Sequence, residues 1–136
     1  MSVEEILRSY IPAARHAREC FIELDEARNA TPKSPRMDGM PRGGGGGGLD
    51  DQVARIEALE KRAEKARDKA LTIEEAIYEM MDALEDFGQK STIKLHDVYG
   101  YTWVKVGMVM HYSESHARYI HAKAVRTLKE MKRWDT

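Results

Sequence analysis

The stretch TWVKVGMVMHYSESHARYIHAKAVRTLKEM, Thr102–Met131, decides the fold of this chain. Its pattern predicts two helices, Trp103–Met110 and Glu114–Met131, separated by only three residues. Thr102 and Ser113 each precede a helical run, where a hydroxyl oxygen can accept a hydrogen bond from an otherwise unpaired backbone N–H group. We therefore expect a short helix, a tight turn and a longer helix.

Apolar residues mark the side of each helix that packs inward. Val106 and Met110 face inward on the first helix. An apolar stripe at i, i+3 and i+4 spacing follows the second helix and comprises Ala117, Ile120, Ala124, Leu128 and Met131. Gly107 falls where two crossing helices need a residue almost without a side chain, and His111 falls at a turn position that often adopts a left-handed conformation. This pattern is typical of a helix-turn-helix.

The opposite side of the second helix is polar and mostly basic. At about 100° per residue, the residues that point away from the stripe are Ser115, Arg118, Tyr119, Ala122, Arg126, Lys129 and Arg133. A helix in the major groove contacts bases with its first turns and phosphates with the rest. The predicted base contacts are therefore Ser115, His116, Arg118 and Tyr119, and the predicted phosphate contacts are Thr102, Lys105, Lys123, Arg126 and Lys129. A solvated basic face on a packing helix is the alternative.

Residues Asp97 to Leu128 also resemble region 4 of sigma-70-type factors. They resemble still more closely the small sigma-like late transcription regulators of phages and prophages of Gram-positive bacteria, the RinA/ArpU-type group, in which a GxTWxxIAxxMGYS stretch precedes the recognition helix. The matching residues are Gly100, Thr102, Trp103, Val106, Gly107, Met110, Tyr112 and Ser113, with His111 in place of the glycine. The segment Met37–Gly45, followed by a long charged helix, also looks like that group, so the resemblance covers about two-thirds of the chain.

This resemblance implies site-specific binding to double-stranded DNA at a phage or prophage promoter. It also implies contact with RNA polymerase. Because the chain has no aromatic-rich segment like the promoter-melting region of a complete sigma factor, we expect it to recruit or assist polymerase rather than replace sigma. The spacing of residues by itself predicts no more than a helix-turn-helix.

Charge is distributed unevenly along the 136 residues, although the net charge is only −1. Residues 49–89 carry six basic and twelve acidic side chains, whereas residues 90–136 carry nine basic and four acidic ones. A basic segment that coincides with the predicted helix-turn-helix is expected of a nucleic-acid contact. No apolar run approaches the ~20 residues that cross a bilayer, and no signal-peptide pattern is present. We therefore expect a cytoplasmic protein with no membrane contact.

The rest of the chain divides by composition into segments. They are an N-terminal helix over residues 1–30, a Pro/Gly-rich flexible loop over 31–48, a long charged coiled-coil helix over 49–87 and the DNA-binding domain over 88–136. The predicted fold class is therefore all-α, a long helical hairpin or coiled coil followed by a C-terminal helix-turn-helix domain. Antiparallel folding of the first helix would place Ala14 beside Glu64. Pairing of the same helices between two chains, which would form a homodimer, is the alternative.

Local signals place the ends of these helices. Ser2 and Glu5 fit a capping box at the start of the first helix. Pro12 predicts a kink or a restart within it. A further helix over Ser91–Tyr99 should end at Gly100.

Catalysis, metal binding and nucleotide binding lack the necessary patterns. His111, His116 and His121 are spaced by five, which rotates successive side chains by about 140° and prevents a shared metal. No Gly-Lys-Ser/Thr follows the glycine run, and no Ser/His/Asp or Cys/His arrangement is present. The single Cys20 excludes an internal disulfide. We expect no enzymatic activity, no cofactor and no metal.

Two other functions fit the same pattern. A DNA-packaging component such as a small terminase subunit also joins a helix-turn-helix to helical oligomerisation segments, although there the DNA-binding part usually comes first. A helical adaptor that binds no DNA is the other. A large ring in solution would favour packaging, whereas a monomer or dimer would favour transcription regulation.

Overall fold

Five α-helices make up the part of the chain that the computed structural model describes, residues 1–30 and 48–134. They are α1 (Val3–Asn29), α2 (Leu49–Ala83), α3 (Phe87–Ile93), α4 (Trp103–Met110) and α5 (Glu114–Met131), and a π-helical turn (Lys94–Val98) continues α3. These residues contain no β-strand, so the all-α class is confirmed for them. None of the helices in this part is both long and apolar enough to cross a membrane. The loop predicted over 31–48, including Met37–Gly45, lies outside the described residues except for Gly48.

The start of α1 follows from its capping box. The Ser2 hydroxyl accepts a hydrogen bond from the Glu5 N–H at 3.2 Å, and the Glu5 carboxylate accepts one from the Ser2 N–H at 3.4 Å, which confirms the prediction. The helix continues through Pro12 without a break, so the restart expected there is wrong. Leu7 and Ala17, on either side of the proline, are both buried. Packing on both sides holds the two halves in one helix despite the lost backbone hydrogen bond.

α1 and α2 pack against each other as an antiparallel pair. The Tyr10 hydroxyl donates to the Glu74 carboxylate at 3.2 Å, and the Arg28 guanidinium lies 2.8 Å from the Glu60 carboxylate. A cluster of mostly small buried side chains joins the two helices; its members are Ala17, Cys20 and Leu24 on α1 and Leu59, Ala63 and Ala66 on α2. Small residues allow the two helices to approach closely.

The register of this pair differs from the prediction. With Ala14 beside Glu64, Tyr10 would lie beside Asp68, but its observed partner is Glu74. On the same reckoning Arg28 would lie beside Asp50, but its partner is Glu60, so the two contacts displace α1 by six to ten residues, or roughly two to three turns, along α2. The regular apolar seam of α2 begins only at Leu59, and packing along that seam leaves the first turns of α2 beyond the end of α1.

α2 ends earlier than predicted. It stops at Ala83 rather than Phe87, because Leu84 adopts an extended conformation and Asp86 begins a new helix. The Asp86 carboxylate accepts a hydrogen bond from the Gln89 N–H at 2.8 Å. The predicted helix start at Ser91 is accordingly wrong. An Asp followed three residues later by Gln is the local signal that could have located this break.

The C-terminal helices share one core with the ends of α1 and α2. The buried residues of this core are Val3, Leu7, Ile77, Met80, Met81, Leu84, Ile93, Ala124, Val125, Leu128 and Trp134. Phe87 is 81% exposed because it is the first residue of α3. α5 is therefore positioned from behind by α1 and α2 as well as by α3 and α4.

Candidate nucleic-acid interface

α4 and α5 both begin at side-chain caps. The Thr102 hydroxyl accepts a hydrogen bond from the Lys105 N–H at 3.2 Å, and the Ser113 hydroxyl accepts one from the His116 N–H at 3.1 Å. Caps of this kind stabilise a helix by about 1 kcal/mol. Both helix starts agree with the sequence prediction, and so do both helix ends.

The turn between α4 and α5 is tight and left-handed. His111 has φ 60° and ψ 39°, the conformation expected at this position. The Tyr112 N–H donates to the Gly107 carbonyl oxygen at 2.8 Å. This is the hydrogen bond that closes six residues in a Schellman motif. A β-carbon on Gly107 would lie only 2.6 Å from the Tyr112 carbonyl oxygen. The glycine is therefore required by the backbone of the turn itself.

α5 buries one side and exposes the other. Ala117, Ala124 and Leu128 have no solvent exposure, and Ile120 is half-buried. Met131, predicted in the same stripe, is 37% exposed because α5 ends there and Lys132 turns the chain with φ 56°. The residues that we call the exposed face of α5 are Ser115, His116, Arg118, Tyr119, Ala122, Lys123, Arg126 and Lys129.

All four predicted base-contacting residues lie on this exposed face, near the start of α5. Ser115 and Tyr119 are one turn apart, and Tyr119 is 58% exposed. Arg118 forms an ion pair with Glu114 at 2.7 Å. Both side chains of that pair are substantially exposed, and exposed pairs at this spacing contribute only about 0.3–0.5 kcal/mol. Arg118 can therefore exchange Glu114 for another partner at little cost.

Aromatic rings contact one another along the same end of α5. The Tyr112 and His116 rings meet edge to face with centroids 4.7 Å apart, and the His116 and Tyr119 rings are stacked with centroids 6.2 Å apart. The Tyr112 hydroxyl lies against Gly88 of α3. The turn, α3 and the first turns of α5 are thus joined by side-chain contacts that orient Tyr119.

The predicted phosphate-contacting residues differ in their surroundings. Lys123 and Arg126 are exposed, and neither has an ion-pair partner within the described residues. The Lys105 ammonium lies 3.9 Å from the centroid of the Tyr101 ring. Thr102 uses its hydroxyl as the cap of α4.

Lys129 has a partner that the sequence did not predict. Its ammonium donates to the Glu4 carboxylate of α1. The hydrogen bond and charge of Lys129 lower the pKa of Glu4 below its usual value. This contact links the first turn of α1 to the last turns of α5 and partly neutralises one end of the exposed face.

A polar pair joins the inner side of α5 to the π-helical turn. The Asp97 carboxylate accepts a hydrogen bond from His121 Nε2 at 2.6 Å, and Asp97 is only 6% exposed. His96 stacks on Trp103 with ring centroids 3.8 Å apart, and its Nδ1 lies 2.8 Å from the Tyr101 carbonyl oxygen, which it donates to because a carbonyl can only accept. These contacts join the π-helical turn, α4 and α5. The role of Asp97 was not predicted, since the burial of a single aspartate has no signal in the sequence.

A cleft of about 240 Å³ lies between this pair and the first turns of α1. Its lining carries both signs of charge and comprises Glu4, Leu7, Arg8, His96, Asp97, His121 and Val125. Within residues 1–30 and 48–134, no group of three or more His, Cys, Asp or Glu side chains is arranged to hold a metal ion. The exposed face of α5, whose charged side chains as defined above are all cationic, is therefore the candidate binding surface.

Comparison of the chain with protein-family models, with curated proteins and with solved structures found no match.

Proposed function

We propose that this protein is a sequence-specific, double-stranded DNA-binding transcription regulator. In this proposal α4, the turn and α5 act as a helix-turn-helix, and α5 lies in the major groove. The observation that carries the proposal is the combination of the tight left-handed turn at His111 with a cationic, solvent-open face on the helix that follows it.

The exposed face divides into two functional parts. Ser115, His116, Arg118 and Tyr119 lie in the first turns of α5 and would contact base edges. Arg118 would leave Glu114 and present two parallel N–H donors to a guanine, the geometry that makes arginine the commonest base-contacting residue. Lys123 and Arg126 would neutralise phosphates, because their charges are not engaged by carboxylates in the described part of the chain.

The distribution of charge supports one orientation on DNA. Residues 49–89 carry a net charge of −6, and residues 90–136 carry +5. The acidic α2 would be repelled by phosphates, whereas the basic segment would be attracted to them. The resemblance to sigma region 4 and to phage late regulators further supports action at a promoter, with recruitment of RNA polymerase as the mode of regulation.

Selection of bound sequences from a random duplex pool tests this proposal. The purified chain should enrich one motif, and the motif should bind more tightly than a scrambled duplex at every salt concentration. The affinity should also fall with salt, with a slope set by the number of phosphate contacts. Enrichment of no motif, together with no salt-dependent binding to any duplex, would refute the proposal.

A charge-matched variant separates the proposed interface from general electrostatic attraction. Arg126→Ala and Arg67→Ala each remove one exposed arginine, the first from α5 and the second from α2. Only Arg126→Ala should weaken DNA binding. Mass measurement of the free protein addresses the packaging alternative, for which a large ring is expected.

A further inference from the structure

A neutral strip runs along the middle of the exposed face of α5. Ser115, Tyr119 and Ala122 succeed one another at intervals of four and three residues, and all three are exposed. Such intervals place side chains on one side of a helix. The strip is bordered by cations, since Arg118 lies four residues before Ala122 and Arg126 lies four residues after it.

Ala122 has the shortest side chain of this strip. Its side chain ends at the β-carbon, whereas the arginines one turn away on either side are long. The Tyr119 ring, 58% exposed, lies next to it around the helix. The His116 ring is stacked with that ring, with centroids 6.2 Å apart. Ala122 and Tyr119 therefore form a small apolar and aromatic surface, and an arginine lies one turn from Ala122 on either side.

We propose that Ala122 and Tyr119 contact the C5 methyl group of a thymine, so that the target sequence contains a thymine whose methyl group contributes to binding. This inference rests on the proposed function. Thymine presents the apolar group of the major-groove edge, whereas the other base edges offer hydrogen-bond donors and acceptors. An alanine has no group with which to satisfy a donor or an acceptor. The β-carbon of Ala122 can instead make an apolar contact with the methyl group of a thymine.

The neighbouring arginines make duplex DNA the fitting partner of the surface that Ala122 and Tyr119 form. Arg118 and Arg126 can reach a guanine or a phosphate on either side of the base that Ala122 contacts. A protein partner with an apolar side chain would need carboxylates at the same spacing to match both arginines. The phosphate backbone supplies negative charge on both sides of every major-groove base.

Replacement of thymine by deoxyuridine tests the inference, because it removes the methyl group and leaves base pairing unchanged. Each thymine of the selected duplex is replaced in turn, and binding is measured by fluorescence anisotropy at fixed salt. At least one replacement should weaken binding by about fourfold, the effect of removing one buried methyl-sized group. Replacement of a thymine in the sequence that flanks the selected motif serves as the control.

Two protein variants connect that thymine to the named residues. In Tyr119→Ala and Ala122→Gly the selected duplex should bind more weakly, and the deoxyuridine replacement should have no further effect. Because glycine destabilises a helix, the fold of Ala122→Gly is checked by circular dichroism, and Tyr119→Ala, at an exposed site, gives an independent measurement. A Lys123→Ala variant should keep the full fourfold deoxyuridine effect.

The outcomes distinguish this inference from the function on which it rests. A selected motif without thymine, or one in which no deoxyuridine replacement changes affinity, overturns the thymine contact while sequence-specific binding stands. A deoxyuridine effect that persists undiminished in both Tyr119→Ala and Ala122→Gly also overturns it. If no motif is enriched, both the inference and the proposed function fail.

Discussion

Gly107→Ala would test the close approach of the turn to α4. A β-carbon at this position would lie 2.6 Å from the Tyr112 carbonyl oxygen and 3.4 Å from the Ser113 carbonyl carbon. Both neighbours are backbone atoms, which cannot rotate away as the end of a side chain can. The turn would have to move, and the angle between α4 and α5 would change with it.

Two opposing contributions set the size of this effect. Alanine is favoured over glycine in a helix by about 1 kcal/mol. Insertion of an atom into a close contact costs about 1–3 kcal/mol, and distortion of the 2.8 Å hydrogen bond from the Tyr112 N–H to Gly107 would add about 1 kcal/mol. The unfavourable contributions dominate, so we expect a loss of about 1–3 kcal/mol in the free energy of unfolding. For a chain of this length that corresponds to a fall in Tm of roughly 3–10 °C.

Thermal unfolding followed by circular dichroism measures this change, with Gly88→Ala as the matched control. Gly88 also lies in a helix, but an added β-carbon would meet the Tyr112 hydroxyl at 3.0 Å and the Asp86 carboxylate at 3.1 Å. The Tyr112 hydroxyl is the end of a side chain that can move, and displacement of the Asp86 oxygen would cost at most its cap on the Gln89 N–H, so Gly88→Ala should stay within about 1 kcal/mol of wild type. A Gly107→Ala protein as stable as wild type would show that the turn does not depend on this close approach.

The remaining predictions concern the exposed face of α5 and two titratable groups. Arg118→Ala should reduce discrimination between the selected and a scrambled duplex by about 1–3 kcal/mol if Arg118 contacts a guanine. Arg126→Ala should weaken binding to all duplexes alike and lower the salt slope by about 1. Glu4→Gln should release the Lys129 ammonium, tighten binding to every duplex and steepen the salt slope by about 1, as measured by titration at several salt concentrations. The stability of Tyr10→Phe should depend less on alkaline pH than that of wild type. Burial, which is the largest cause, and the charge of Glu74, which is the second, raise the pKa of Tyr10 above 10.0. The stability that this shift contributes is present below pH 10.0 and is lost as pH rises through the folded-state pKa.

The Glu4→Gln and Tyr10→Phe predictions each have a control within the same chain. Glu23→Gln removes the same charge from an exposed site farther along α1, and it should leave the salt slope unchanged. Tyr119→Phe removes the hydroxyl of an exposed tyrosine, and its denaturation at alkaline pH should follow that of wild type. Unchanged preference for the selected duplex in Arg118→Ala would mean that the first turns of α5 do not contact the bases as proposed.

The Glu4–Lys129 pair also has a pH dependence with a defined sign. The hydrogen bond and charge of Lys129 lower the pKa of Glu4 below 4.5, so its contribution to stability is complete above that pH. It is lost as pH falls through the lowered folded-state value. Acid titration of the Glu4 carboxyl by NMR in wild type and in Lys129→Met would measure the shift, and an identical pKa in both proteins would contradict the contact.

The local features of this fold could be predicted from the sequence because they depend on residues close together in the chain. The caps at Thr102 and Ser113 each join residues only three positions apart. The left-handed turn at His111 and the need for Gly107 arise within a six-residue segment. The side of α5 that is buried follows from the 3.6-residue period of its apolar residues. These features together determine the α4–α5 pair and its exposed face.

Tertiary packing determined the helix register and the side-chain contacts between residues that are far apart in the chain. The register of α1 on α2 rests on packing between two long helices, and several registers match their repeating apolar residues nearly as well. The partner of Lys129 is 125 residues away, and the partner of His121 is 24 residues away. No pattern along the chain specifies such contacts, because they exist only once the helices have packed. The sequence alone therefore determined which helices form and which side of α5 faces solvent, whereas packing determined which of its charges remain available to bind.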